Sequence, residues 1–118
     1  MSNGIPIRQV APDVCVAPQL SAEVMADVAR AGFRSVVNNR PDYEGGPDQP
    51  TNAEIEAAAR AAGLEYAFLP VDSAVQTPEQ IERFAELLEA LPRPILAFCR
   101  SGARSTRLFV AATQTRQR

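Results

Sequence analysis

Short apolar runs alternate with longer stretches in which apolar residues recur every third or fourth position, and this alternation predicts the elements of the chain. Ile7–Ala11 and Val14–Ala17 flank Pro12-Asp13, a turn dipeptide, and read as a short hairpin. Ser21 stands where it can cap a helix carrying Val24, Met25, Val28 and Ala29 on one face, and Gly32 where a left-handed residue would end it. Phe33–Asn38, centred on Val36 and Val37, reads as a buried strand. Asn39–Pro50 holds three Pro, two Gly and two Asp and reads as a long loop. Thr51 and Glu54 form a capping box at the start of an Ala-rich helix that Gly63 closes.

The second half repeats the alternation. Glu65–Val71 reads as a strand and Asp72–Gln76 as a loop, after which Thr77, Pro78 and Gln80 supply a cap, an N1 proline and a second capping box. The helix they open carries Ile81, Phe84, Leu87, Leu88 and Leu91 as a core-facing stripe, and Pro92 and Pro94 stop it. Ile95–Phe98 is an apolar run of strand length. Cys99–Arg104 leads from it into a last helix bearing Leu108, Phe109 and Ala112. Residues 1–6 and the polar Thr113–Arg118 are expected to be poorly ordered.

After the hairpin, strands and helices alternate, which predicts an α/β fold. It would have a mainly parallel sheet of about four strands plus the N-terminal hairpin, with helices on both faces. In such a sheet ligands bind at the carboxyl ends of the strands. The loops Asn38–Asp48, Asp72–Gln76 and Cys99–Arg104 therefore open on one edge, where the chain's unusual polar residues gather.

Composition narrows the chemistry. At 118 residues the chain is expected to form a single domain, 1–118. Twelve basic against fourteen acidic residues give a formal charge of −2, which supplies no electrostatic footprint for nucleic acid or an anionic membrane. No apolar run approaches the roughly 20 residues of a membrane span, and Met1–Ala11 has no secretory apolar core, so the expected location is the cytoplasm. Histidine is absent, which removes Ser-His-Asp and Cys-His dyads and any His-ligated metal. Two cysteines, Cys15 and Cys99, cannot by themselves build a structural zinc site, and no cofactor is expected. All twelve basic residues are Arg and twenty positions are Ala, a pattern that codon composition explains.

Cys99-Arg100-Ser101-Gly102-Ala103-Arg104-Ser105 carries the chemistry. A thiol between a strand end and a helix start meets the positive end of the helix dipole and unpaired backbone N–H groups. Arg104 adds a fixed cation, and each effect favours the thiolate over a free thiol of pKa about 8.5. Gly102 lets the backbone of Arg100, Ser101 and Ala103 curl so that its N–H groups face an anion. Arg104 can hold two oxygens of that anion in its planar fork. The thiolate would then attack the central atom of the bound anion. Cys15, between Val14 and Val16 with no neighbouring cation, reads as core packing.

The same segment resembles the Cys-x₄₋₅-Arg-Ser/Thr loops of cysteine-dependent phosphatases and rhodanese-type sulfurtransferases. Four further blocks extend the likeness over nearly the whole chain: Val16–Leu20, Gly32–Asp42 with its Asn-Asn-Arg-Pro-Asp run, Gln49-Pro50 and Ala62–Leu64, in that order before Cys99–Ser105. Together they resemble the phosphatase-like domain of beta-lactamase-hydrolase-like proteins. The resemblance implies a fold like that of dual-specificity phosphatases, a bacterial source, and homologues fused to a metallo-β-lactamase-type hydrolase. It assigns Cys99 as nucleophile, Arg104 as the phosphate-gripping arginine and Ser105 as the hydroxyl that stabilises the departing thiolate. Two departures stand out. Phe98 precedes Cys99 where the phosphatase pattern has His, and four residues separate Cys99 from Arg104 where most such phosphatases have five. Rhodanese-type loops share the four-residue spacing and carry a sulfane sulfur.

Cleaving a phosphoester also needs an acid for the leaving oxygen. Asp72 follows a strand at the ligand edge, 27 positions before Cys99, which resembles the phosphatase arrangement; Asp42 is a second choice. Arg40 is a candidate anion ligand, although Pro41 equally suits it to a turn. Asn38 and Asn39 are expected to organise their loop through side-chain bonds to backbone. Only Tyr43 and Phe98 bring aromatic rings near the predicted mouth, so no deep phosphotyrosine slot is indicated. The expected activity is a cysteine-dependent phosphatase, with a persulfide-carrying sulfurtransferase as the alternative. The expected partner is a small phosphorylated or sulfur-containing anion or a phosphoprotein, not a nucleic acid or a membrane.

Overall fold

A computed structural model describes residues 5–117, so the expectation of disorder at residues 1–4 and 118 lies outside the described residues. Strands β1 (Arg8–Ala11), β2 (Val14–Ala17), β3 (Ser35–Asn38), β4 (Glu65–Phe68) and β5 (Ile95–Phe98) form one sheet in the order β1-β2-β5-β3-β4. β1 pairs with β2 antiparallel as the predicted hairpin, and β2, β5, β3 and β4 run parallel. The mainly parallel α/β sheet is therefore as the alternation predicts, with the hairpin built into it. β5 lies in the middle, flanked by β2 and β3, so the loop after it opens at the centre of the sheet's carboxyl edge.

The helices divide between the faces. α1 (Met25–Arg30) and α2 (Asn52–Ala61) place Met25, Val28, Ile55 and Ala59 against Val36, Leu96 and Phe98. α3 (Pro78–Ala90) and α4 (Ala103–Arg116) place Phe84, Leu88, Leu108 and Ala112 against Val14, Val37, Ile95 and Ala97. Successive strand residues thus face opposite layers, as the two-residue repeat of a strand requires. The helices that follow β3 and β5 lie on opposite faces. Their loops diverge there and leave a crevice at the strand ends, the usual ligand position in an open parallel sheet.

Both predicted capping boxes form: Thr51 and Glu54 exchange side-chain-to-backbone bonds, as do Thr77 and Gln80. Three elements differ from expectation. Ser21 caps nothing through its side chain; a 3₁₀ turn at Ala22–Val24 intervenes, its first bond running from Val24 N–H to Ser21 C=O. The strand expected to reach Val71 ends at Phe68 because Pro70 has no N–H to give, although Leu69 and Val71 still donate to the carbonyls of Asn38 and Asn39. Thr113–Arg116 are helical rather than frayed, tied down where Arg116 pairs with Glu82 and Glu89 of α3. No helix among the described residues is long and apolar enough to cross a membrane.

Candidate active site

The crevice is a cavity of about 680 Å³ lined by Arg40, Glu44, Gly45, Ser73, Cys99, Arg100, Ser101, Ala103, Arg104 and Arg107. All three loops predicted to share an edge contribute to it.

Cys99 is only 1% exposed, at the end of the central strand, and its N–H donates to the carbonyl of Ala17. The chain turns at Gly102, whose φ of 94° is left-handed and which serves as the N-cap of α4. The turn aims the Gly102 N–H at Cys99 Sγ, 3.1 Å away. Burial pushes the thiol pKa up. Hydrogen bonds from the backbone and hydroxyl of Ser105 and from the N–H groups of Gly102 and Ser101 outweigh it, so the thiol titrates below its ordinary range. The Gly102 N–H is the amide seated directly on the sulfur.

Arg104, 4% exposed, is held from three sides. Its Nη1 donates to Val71 O at 2.9 Å and, at the limit of hydrogen bonding, to Asn39 O at 3.5 Å; its Nη2 donates to Glu44 Oε1 at 2.9 Å. Buried Nε has no partner among the described residues. A guanidinium has five N–H donors. Three are engaged here, and the two that remain suit a bidentate oxyanion.

Ser105 is fully buried behind the sulfur, and its hydroxyl donates to Asn39 Oδ1 at 2.8 Å. Asn39 is oriented in turn by its Nδ2 bond to Leu69 O. The single Ser105 hydrogen therefore has two acceptors, the Asn39 oxygen and the sulfur. Asn38 organises the loop as expected. Its Oδ1 accepts from the Arg40 N–H, and its Nδ2 reaches the hydroxyl of Tyr66, which donates to Asn52.

The remaining predicted residues divide. Arg40 lines the cavity, but its Nε is paired with Glu44 and its Nη1 with Gln19 Oε1. Arg100 and Ser101 are exposed at the rim, and Arg100 O anchors the Gln19 N–H. Asp42 is not in the wall; its Oδ1 accepts from Asn52 N–H at 2.7 Å at the start of α2, which makes it a structural carboxylate. Asp72 stands at the edge between Val71, which holds Arg104, and Ser73, which lines the cavity. Its exposed carboxylate accepts from the Ala74 N–H at 2.7 Å and is not itself part of the wall.

Two wall residues are missed by the sequence reading. Glu44 is the one carboxylate in the lining among the described residues, and its Oε1 accepts from both Arg40 and Arg104. Burial works against its charge, but the two guanidiniums overcome it and hold its pKa below the ordinary value. Gly45 permits this approach, since a Cβ there would lie 2.6 Å from Arg40 Nη2. Arg107 also lines the cavity, with its Nη2 on Ser73 O at 3.1 Å. Signals for both exist in the spacing, Glu44 four residues after Arg40 and Arg107 three after Arg104 on the same helix.

A family model described as beta-lactamase hydrolase-like protein, phosphatase-like domain, matches residues 6–116. A beta-lactamase hydrolase-like protein of Agrobacterium fabrum is 36% identical over 99 residues, 84% of this chain and 21% of that protein. The chain thus spans about a fifth of the length of the curated relatives it matches. Among solved structures, a candidate phosphatase of Neisseria meningitidis superposes with a TM-score of 0.79 at 28% identity, covering 86% of this chain and 71% of that one. Another from Shewanella putrefaciens gives 0.81 at 21%, covering 97% and 71%. The architecture is that of the cysteine phosphatases.

Proposed function

The chain belongs to the phosphatase-like domain family of beta-lactamase hydrolase-like proteins, and from that premise we propose a cysteine-dependent phosphatase working through a thiol-phosphate intermediate. The observation that carries the reading is the unengaged edge of Arg104: a buried guanidinium whose Nε has no partner among the described residues, on the wall that also holds a sulfur biased toward thiolate. A buried donor without a partner costs about 1–3 kcal/mol. An oxyanion bound there removes that cost.

The proposed steps use the groups that line or border the cavity. Arg104 and the loop N–H groups of Ser101, Gly102 and Ala103 hold the phosphoryl oxygens. The Cys99 thiolate attacks phosphorus, an S–P bond forms, and the P–O bond to the leaving group breaks. Asp72 gives that oxygen its proton, the carboxyl first turning from Ala74 toward Ser73. Water then attacks phosphorus, Asp72 takes its proton, and the S–P bond breaks to return thiolate and inorganic phosphate. Ser105 directs its hydrogen to the departing sulfur and returns it to Asn39 when the sulfur is esterified. Glu44, held as carboxylate by two arginines, is the wrong protonation state for the acid role. No cofactor enters these steps.

The four-residue spacing between Cys99 and Arg104 favours a second reading, a sulfurtransferase carrying a persulfide on Cys99. One preparation assayed with an aryl phosphate, and separately with thiosulfate plus cyanide, separates the two. The phosphatase reading expects turnover of the first, loss of at least 10³-fold in Cys99→Ser, and a loss of about 10²-fold in Asp72→Asn. Turnover only of thiosulfate would overturn it, and phosphatase turnover unchanged in Asp72→Asn would remove Asp72 from the acid role. The substrate is a phosphorylated anion taken up at the sheet edge in the cytoplasm.

A further inference from the structure

Charge in the cavity wall is lopsided. Across the chain acids slightly outnumber bases, fourteen to twelve, yet among the described residues four arginines line this cavity against one carboxylate, that of Glu44. Glu44 is committed to Arg40 and Arg104. Arg100 and Arg107 form no ion pair among the described residues, and both are exposed at the rim. Arg107 is nonetheless fixed in direction by its bond to Ser73 O at 3.1 Å. No aromatic or long aliphatic side chain among the described residues lines the cavity.

We propose that Arg100 and Arg107 form a second anion subsite beside the Cys99 loop, and that the substrate is a small molecule carrying a further phosphate next to the one attacked. The proposal rests on the phosphatase reading for what happens to the first phosphate, but not for the binding itself. Arg104 with the loop N–H groups takes the phosphoryl group to be transferred. Arg100 and Arg107, one on each side of the Gly102 turn, take the neighbouring phosphate at the mouth. Two guanidiniums with no ion-pair partner among the described residues concentrate polyanions over monoanions. A phosphoprotein side chain would find none of the apolar wall that usually buries an organic ligand, so the polar, arginine-lined cavity favours the small polyphosphate.

Binding can be measured without turnover on the Cys99→Ser protein, by calorimetry at fixed ionic strength with inorganic pyrophosphate, inorganic phosphate and an acidic phosphoserine peptide as probes. The expected result is pyrophosphate binding at least tenfold more tightly than phosphate and than the peptide. That ratio falls to threefold or less in Arg107→Gln, and to parity when Arg100→Gln is added. Using the ratio cancels any general change in the pocket. A ratio that survives both substitutions overturns the subsite, and so does the peptide binding more tightly than pyrophosphate. If the aryl phosphate assay fails while the ratio behaves as expected, the phosphatase reading fails and the subsite stands.

Discussion

Glu44 Oε1 lies 2.9 Å from Arg104 Nη2 and accepts a second bond of the same length from Arg40 Nε. One internal carboxylate thus fixes the arginine proposed to grip the anion while occupying part of its charge. Glu44→Gln keeps the shape and removes that charge. The variant is expected to bind inorganic phosphate several-fold more tightly, because a nearby like charge is gone. Its kcat is expected to fall, because Arg104 is less well held. A variant with weaker phosphate binding and unchanged kcat would contradict this account.

The same pair sets a pH dependence of stability. The folded-state pKa of Glu44 lies below its ordinary value of 4.5, so its contribution is complete above that pH and disappears as pH falls through the lowered value. The wild type should exceed Glu44→Gln by about 1 kcal/mol at neutral pH. The two denaturation midpoints should converge in acid.

Cys99 and Cys15 are shifted in opposite directions. Donors around Cys99 bring its pKa below 9.0 against the pull of burial, whereas burial alone raises that of Cys15 above 9.0. Iodoacetamide alkylation followed by peptide mapping across pH should therefore show the midpoint for Cys99 on the acid side of that for Cys15. The reverse order would mean that the amides do not serve the sulfur.

Gly102→Ala tests the turn itself. A Cβ there would meet Ala17 at an ordinary 3.5 Å, so the cost comes from the backbone, which an L residue rarely adopts at a φ of 94°. A loss of about 1–2 kcal/mol is expected. If the turn relaxes, its N–H leaves Sγ and the alkylation midpoint of Cys99 moves up. Lost stability with an unmoved midpoint would show that this N–H is not what favours the thiolate.

Tyr66 reports on the first loop. Its hydroxyl, pushed up to about 12 by burial, joins Asn38 to Asn52 and so ties the end of β3 to the start of α2. Tyr66→Phe leaves the Asn38 amide unsatisfied in the interior. A destabilisation of about 1–3 kcal/mol by chemical denaturation is expected, together with weaker phosphate binding, since Arg40 N–H hangs on the same Asn38.

Much of this was legible before folding. The capping boxes at Thr51 and Thr77 span three residues, and the Cys99–Arg104 loop runs without a break from β5 into α4. Interactions confined to neighbouring residues are written in the order of the residues. The order of residues sets Asp42 and Asp72 in loops that follow strands, but which way a carboxylate turns depends on the nearest free N–H. Asn52 and Ala74 supply those, and neither carboxylate lines the wall.

The amino-acid order by itself determined the alternating elements, the parallel sheet and the sulfur at a helix start, because periodicity, caps and dipoles act over one or two turns of chain. Only the tertiary structure decided what surrounds that sulfur. Asn39 reaches Ser105 across 66 positions and Glu44 reaches Arg104 across 60, and both meetings exist because β3 lies beside β5 in the sheet. Strand order is set by how two apolar faces are buried together, and no local stretch of sequence carries that information.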